Sequence, residues 1–204
     1  MKKVLVIMFA SLAMMASAVS YAKGDATKGK ALSASCAACH GGDGNSTNPD
    51  WPKLAGQGEA YLTKQLLDFR NDSRVDAVMT AQAKLIASDE DVEHIAAYFA
   101  SQEATSGTAD ETKVEEGALL FKGGKTSTKV TACAACHGPT GSGNDPAKFP
   151  KLSGQHSKYL ITQLKLFRSG ARANDAGQMM RNIAEKMSDP DMEAVAEYIS
   201  GLQD

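Results

Sequence analysis

The chain has four cysteines in its 204 residues, and all four fall in two copies of one pentapeptide, CAACH. The first copy holds Cys36, Cys39 and His40, the second Cys133, Cys136 and His137. Cys-x-x-Cys-His is the attachment signature of a c-type haem. Two thiols about one helical turn apart can reach the two vinyl groups on one porphyrin edge, and each adds across a vinyl to form a thioether. The adjacent His then lies under the iron as an axial ligand. Cys36, Cys39, Cys133 and Cys136 are therefore the expected anchors of two covalently bound heme c groups, with His40 and His137 as axial ligands. Other uses of paired cysteines fit less well. A thioredoxin-type redox disulfide needs a βαβ setting, which this chain does not suggest. A zinc shared by the four cysteines leaves the histidine after each pair unexplained.

An iron held by one histidine needs a sixth ligand or a deliberate vacancy. Outside the first 22 residues, the first half contains one methionine, Met79. The second half offers Met179, Met180, Met187 and Met192. The frame M-x-x-x-A fits Met79 with Ala83 and Met180 with Ala184. Met79 and Met180 are the expected axial ligands, and Met179, one residue away, is the competitor. Met192 falls on the apolar face of the last helix and Met187 just before a helix cap, so both read as core or staple residues. His94 and His156 lack counterparts in the other half and read as solvent or interface residues. Pro52 and Pro150 share the frame [WF]-P-K-L. Their carbonyls either mark simple turns or accept the Nδ1 proton of His40 and His137, since a ligating histidine nearly always has such a partner.

The elements that must position these residues occur twice. WPKLAGQGEAYLTKQLLDFR (51–70) matches FPKLSGQHSKYLITQLKLFR (149–168) at eleven of twenty positions. The CAACH motifs lie 97 residues apart and the closing AAYF and AEYI segments 100 apart, so a unit of about a hundred residues is duplicated. Helix spacing recurs in the segments before each CAACH, in the YLxxQL stretches, and after Ser88 and Ser188. Ser88 with Asp91 and Ser188 with Asp191 resemble capping boxes, and Pro190 suits a first helical turn. The glycine-rich stretches 41–44 and 138–143 are expected loops. No stretch alternates as a strand should. The expected fold is all-α, with domains at 23–103 and 113–204 joined by a polar linker, 104–112.

The first 22 residues read as a secretory signal: Lys2 and Lys3, an apolar stretch, and Ser20-Tyr21-Ala22 as the cleavage pattern. The apolar run is shorter than the roughly 20 residues that span a bilayer. Residues 23–204 carry a net charge of −4, which argues against nucleic acid as a partner. The charge divides unevenly, −4 over residues 23–103 and +2 over residues 113–204. Surrounding negative charge disfavours reduction, so the second domain is expected to have the higher potential.

The doubled set of CAACH-G, [WF]-P-K-L-x-G-Q, Y-L-x-x-Q-L, methionine frame and S-D-x-D resembles the cytochrome c4 family, diheme c-type cytochromes of the bacterial periplasm. The resemblance covers essentially all of residues 23–204. It implies two class I cytochrome c domains related by a pseudo-twofold axis, haems near the domain interface, and His/Met ligation of both irons. It also implies an electron carrier rather than an enzyme, a monomer, commonly passing electrons from the quinol-oxidising complex towards a terminal oxidase and often loosely associated with the membrane. The alternatives are a diheme peroxidase, which needs an iron position open to peroxide, and the haem subunit of a sulfur-oxidising dehydrogenase.

Overall fold

A computed structural model describes residues 24–203, so the expected signal segment lies outside the described residues. The fold is all-α. The first half contains α1 (Ala26–Leu32), α2 (Ala37–His40), α3 (Glu59–Arg70), α4 (Met79–Lys84) and α5 (Asp89–Ala100). The second contains α6 (Glu111–Gly123), α7 (Ala134–His137), α8 (Ser157–Ser169), α9 (Met179–Ala184) and α10 (Asp189–Gly201). Among the described residues, extended pairing is limited to two isolated bridges, Lys125 with Val130 and Asn144 with Phe149. No helix among them is long and apolar enough to cross a membrane.

In each half the first helix crosses the last, and a glycine sets how closely they approach. A Cβ placed on Gly29 would lie 1.9 Å from the His94 carbonyl oxygen, and one on Gly117 would lie 2.1 Å from that of Ala194. No side chain fits at either crossing. α3 packs on α5 and α8 on α10, and the sequence repeat carries an ion pair along. Arg70, at the end of α3, donates to Asp89 at 2.7 Å; Arg168, near the end of α8, donates to Asp189 at 2.6 Å. Val92, Ile95, Ala96 and Phe99 of α5 and Met192, Val195, Ala196 and Ile199 of α10 are buried, which builds one core per half. Met187 is also core.

Helix starts follow the expected chemistry with one difference. The Ser88 hydroxyl accepts the Asp91 amide, a single cap, whereas Ser188 and Asp191 form the full reciprocal box. His94 corrects the expectation of a solvent or interface residue. It is buried, because α1 covers the polar side of α5, and its Nδ1 accepts the Asp25 amide at 2.9 Å. α6 begins at Glu111, capped by Asp110, so helix has already started before residue 113.

The chain between α5 and α6 is fastened to both halves. Thr105 N donates to Asn45 Oδ1 at 2.8 Å, Lys53 Nζ reaches the carbonyls of Thr105 and Ser106, and the Ser200 hydroxyl donates to the Thr108 carbonyl at 2.9 Å. These bonds hold the halves face to face.

Candidate haem sites and the interface between them

Each CAACH forms one helical turn, α2 or α7, that ends on its histidine. The turn stops there because the next residue is a glycine at positive φ, Gly41 at 80° and Gly138 at 81°, a conformation closed to other residues at these ψ values. His40 and His137 are buried. The first cysteine of each motif, Cys36 or Cys133, packs against the core of its own domain. All four cysteines are unpaired. Burial pushes the Cys36 thiol up, and pushes that of Cys133 up to about 11. Neutral thiols of this kind are unlike the low-pKa cysteines of redox C-x-x-C sites. Among the described residues, no three His, Cys, Asp or Glu side chains gather into a metal site, so the cysteines do not converge on one zinc.

The proline carbonyls are hydrogen-bond partners rather than bare turns. His40 Nδ1 lies 2.9 Å from the Pro52 oxygen, and His137 Nδ1 lies 2.9 Å from the Pro150 oxygen. A carbonyl only accepts, so Nδ1 carries the proton and Nε2 keeps its lone pair. Burial lowers the pKa of both rings, against the opposing effect of the proline bonds. A neutral imidazole with a free Nε2 is the form that binds a metal.

The methionines are placed unequally. Met79 begins α4 and is half-buried, its amide held by the Asp76 carboxylate at 2.9 Å. Met180 packs against the second core, while its neighbour Met179 is 41% exposed. Asp175 accepts from the backbone N and Nε of Arg181, the residue that follows Met180.

Between the halves lies a polar network that sequence reasoning missed. The Arg74 guanidinium donates to Gln65 of its own half and to Tyr159 and Gln163 of the other. Arg172 mirrors it, donating to Gln163 of its own half and to Tyr61 and Gln65 of the other. Both arginines are buried, and each stacks on a phenylalanine, Phe69 or Phe167, at 4.5 Å. Among the described residues neither forms an ion pair with a carboxylate. The repeat itself held a signal: Gln65 and Gln163 occupy matching places in YLxxQL. Nothing in the residues alone said that they would meet.

His156 does lie at an interface, its Nε2 donating to the Ser46 carbonyl of the first half at 2.8 Å. Its counterpart Gly58 serves a different contact. There the Asp145 carboxylate of the second half accepts the Ala60 amide at 2.9 Å and so caps α3, and a Cβ on Gly58 would lie 2.3 Å from it.

These residues fit a c-type haem in each half. Both cysteine pairs are unbonded, both histidines offer Nε2, and two buried guanidiniums with neutral partners suit a cofactor that brings carboxylates.

A sequence family described as Cytochrome c matches residues 26–103 and again 114–203. The chain is similar to cytochrome c4 of Azotobacter vinelandii, 45% identical over 99% of this chain and all of that protein. A crystal structure of reduced recombinant cytochrome c4 from Pseudomonas stutzeri superposes with a TM-score of 0.85 at 48% identity, covering 88% of this chain and all of that one. A thiosulfate dehydrogenase electron acceptor from Stutzerimonas stutzeri is 39% identical over 82% of this chain and 78% of its own. The duplicated haem motif, the all-α fold and these similarities agree: the chain belongs to the cytochrome c4 family and is a diheme electron-transfer cytochrome with two covalently bound c-type haems.

Proposed function

We propose that the protein is a periplasmic electron carrier that takes electrons from a quinol-oxidising complex and passes them towards a terminal oxidase. In this reading Cys36, Cys39, Cys133 and Cys136 form the thioethers. His40 and Met79 ligate one iron, and His137 and Met180 the other. When bound, each haem supplies a one-electron couple; the chain supplies the fixed surroundings.

The observation that carries this reading is the matched pair of histidine supports, each with Nδ1 held by a proline carbonyl at 2.9 Å. Each half also presents a methionine in the same frame, so neither reads as a position left open for peroxide. The inward packing of Met180 and the exposure of Met179 support Met180 as the ligand. A carrier works best when its coordination does not change with oxidation state. Two buried, hydrogen-bonded histidines on rigid helical turns serve that need.

A second reading takes the electrons from a thiosulfate-oxidising enzyme. The similarity to a thiosulfate dehydrogenase electron acceptor favours it. One experiment separates the two. The purified holoprotein is mixed with membranes containing the quinol-oxidising complex and, separately, with a thiosulfate dehydrogenase. Fast reduction by the first and onward oxidase turnover that depends on the protein support the main reading. Reduction only by the second supports the alternative.

A further inference from the structure

The proline carbonyl that holds each histidine is part of a peptide group whose N–H is donated across the domain boundary. The peptide group between Pro52 and Lys53 accepts from His40 at its oxygen, and its Lys53 N–H donates to Gln155 Oε1 at 2.9 Å. The peptide group between Pro150 and Lys151 accepts from His137, and its Lys151 N–H donates to Gln57 Oε1 at 2.8 Å. The glutamine nitrogens complete each pairing. Gln57 Nε2 donates to the Lys151 carbonyl at 2.8 Å, and Gln155 Nε2 to the Lys53 carbonyl at 2.9 Å. The backbone offers one donor and one acceptor, so only one orientation of each amide satisfies both. The second lone pair of each Oε1 takes the next amide in its own chain, Gly58 at 2.9 Å and His156 at 3.1 Å. Both glutamines are 7% exposed.

We propose that Gln57 and Gln155 are positioning residues that act across the interface: each glutamine sets the axial histidine of the other domain through a single peptide group. A peptide whose N–H is hydrogen-bonded is a better acceptor at its oxygen, by about 10–30% per bond in condensed-phase estimates. A stronger bond at the oxygen draws on the Nδ1 proton and makes the imidazole a more electron-rich ligand. That favours the ferric state. Removing the cross-domain amide therefore raises the potential of the iron in the opposite domain. The arrangement also couples the sites, because whatever shifts one glutamine is felt at the other histidine. The inference rests on the reading of His40 and His137 as axial ligands.

The test uses the holoprotein with Gln155→Met and Gln57→Met, which keep the bulk and remove the amide. The two haems are followed by redox titration and by the paramagnetically shifted resonances of the ferric protein. Gln155→Met should raise the potential of the first-domain haem and shift the His40 resonances while leaving the second domain in place. Gln57→Met should do the reverse. His156→Ala, which removes the imidazole bond to the Ser46 carbonyl but keeps the backbone N–H that Gln155 Oε1 accepts, should leave both potentials unchanged. The variants alter different domains, so misfolding of one leaves the other to decide. A shift in the variant's own domain, equal shifts in both domains, no shift, or a His156→Ala effect equal to that of Gln155→Met would overturn the proposal. A wild-type protein without low-spin histidine signals would overturn the ligand reading itself, a distinguishable result.

Discussion

In the first half, Met79 follows Asp76, whose carboxylate takes the amides of Val78 and Met79. In the second half, Met180 follows Gly177 and Gln178, both at positive φ, and Asp175 grips Arg181 instead. Val75, Val78 and Leu85, near Met79 in sequence, stand exposed, whereas beside Met180 the exposed apolar residue is Met179. The histidine side shows no such divergence: the same turn, the same glycine and the same 2.9 Å bond to proline occur twice. Duplication has kept the histidine support and let the segments leading into the methionines drift. The invariant part is the one that fixes a tautomer and a ring plane, where a small displacement changes the ligand. A methionine in the first turn of a short helix can be delivered by more than one backbone path.

The largest expected effect breaks this comparison at the methionines. Oxidised protein should show the near-infrared band of methionine sulfur on ferric haem. Met79→Ala should remove about half of it, and Met180→Ala the other half. Met179→Ala should leave it intact, because that side chain faces solvent. Loss of the band in Met179→Ala would assign the ligand to the wrong residue of the pair.

The helix crossings should respond alike in both halves. Gly29→Ala and Gly117→Ala each force a Cβ against a backbone carbonyl, and overpacking of this kind costs about 1–3 kcal/mol. Denaturant unfolding of the two variants should show comparable losses. A loss confined to one half would mean that the crossings are not equivalent.

The caps should respond differently. Asp191 is buried, completes the box with Ser188 and accepts from Lys125 at 2.6 Å; Asp91 supplies only its amide to the Ser88 cap. Burial alone would raise the Asp191 pKa, but the bonds from Lys125 and Ser188 outweigh it and hold the carboxyl below its ordinary value. The folded value is the lower one, so the stabilisation is complete above the ordinary carboxylate range. It is lost as pH falls through the folded value. Asp191→Asn should destabilise the second domain by about 1.5–3 kcal/mol near neutral pH and flatten its acid limb. Asp91→Asn should stay within about 0.5 kcal/mol. Hydrogen exchange at α5 and α10 amides, measured across acid pH, separates the domains.

The smallest expected effect is electrostatic. The first domain carries −4 and the second +2, so the second haem should have the higher potential, and raised salt should narrow the gap. Screening over about 8 Å at physiological ionic strength keeps the difference modest. Equal potentials, or a higher one in the first domain, would show that ligand hydrogen bonding or solvent exposure outweighs charge.

Much of the site was legible in the residues. The C-x-x-C-H spacing is a covalent requirement, and the repeat showed that the three longer helices of each half would occur twice. The proline carbonyls were legible as candidates because a ligating histidine needs a partner. What stayed hidden depends on how the halves dock. Gln57 and Gln155 end the repeated P-K-L-x-G-Q motif, which does not say that each pairs with the backbone of the other half. Arg74 and Arg172 belong to no repeated motif, yet each is buried and donates to side chains of the opposite domain. His94 reads as a solvent or interface residue because the helix that buries it, α1, is distant in sequence. Local pattern reports one element's faces, not what another domain lays over them.

In the proposed ligation both irons are closed by histidine and methionine, which suits an electron carrier and leaves no position open for peroxide. Electron paramagnetic resonance of the oxidised wild-type protein at neutral pH tests it most directly. Two low-spin ferric signals and no high-spin iron are expected. A high-spin signal from either domain would contradict it and point to an open, catalytic haem.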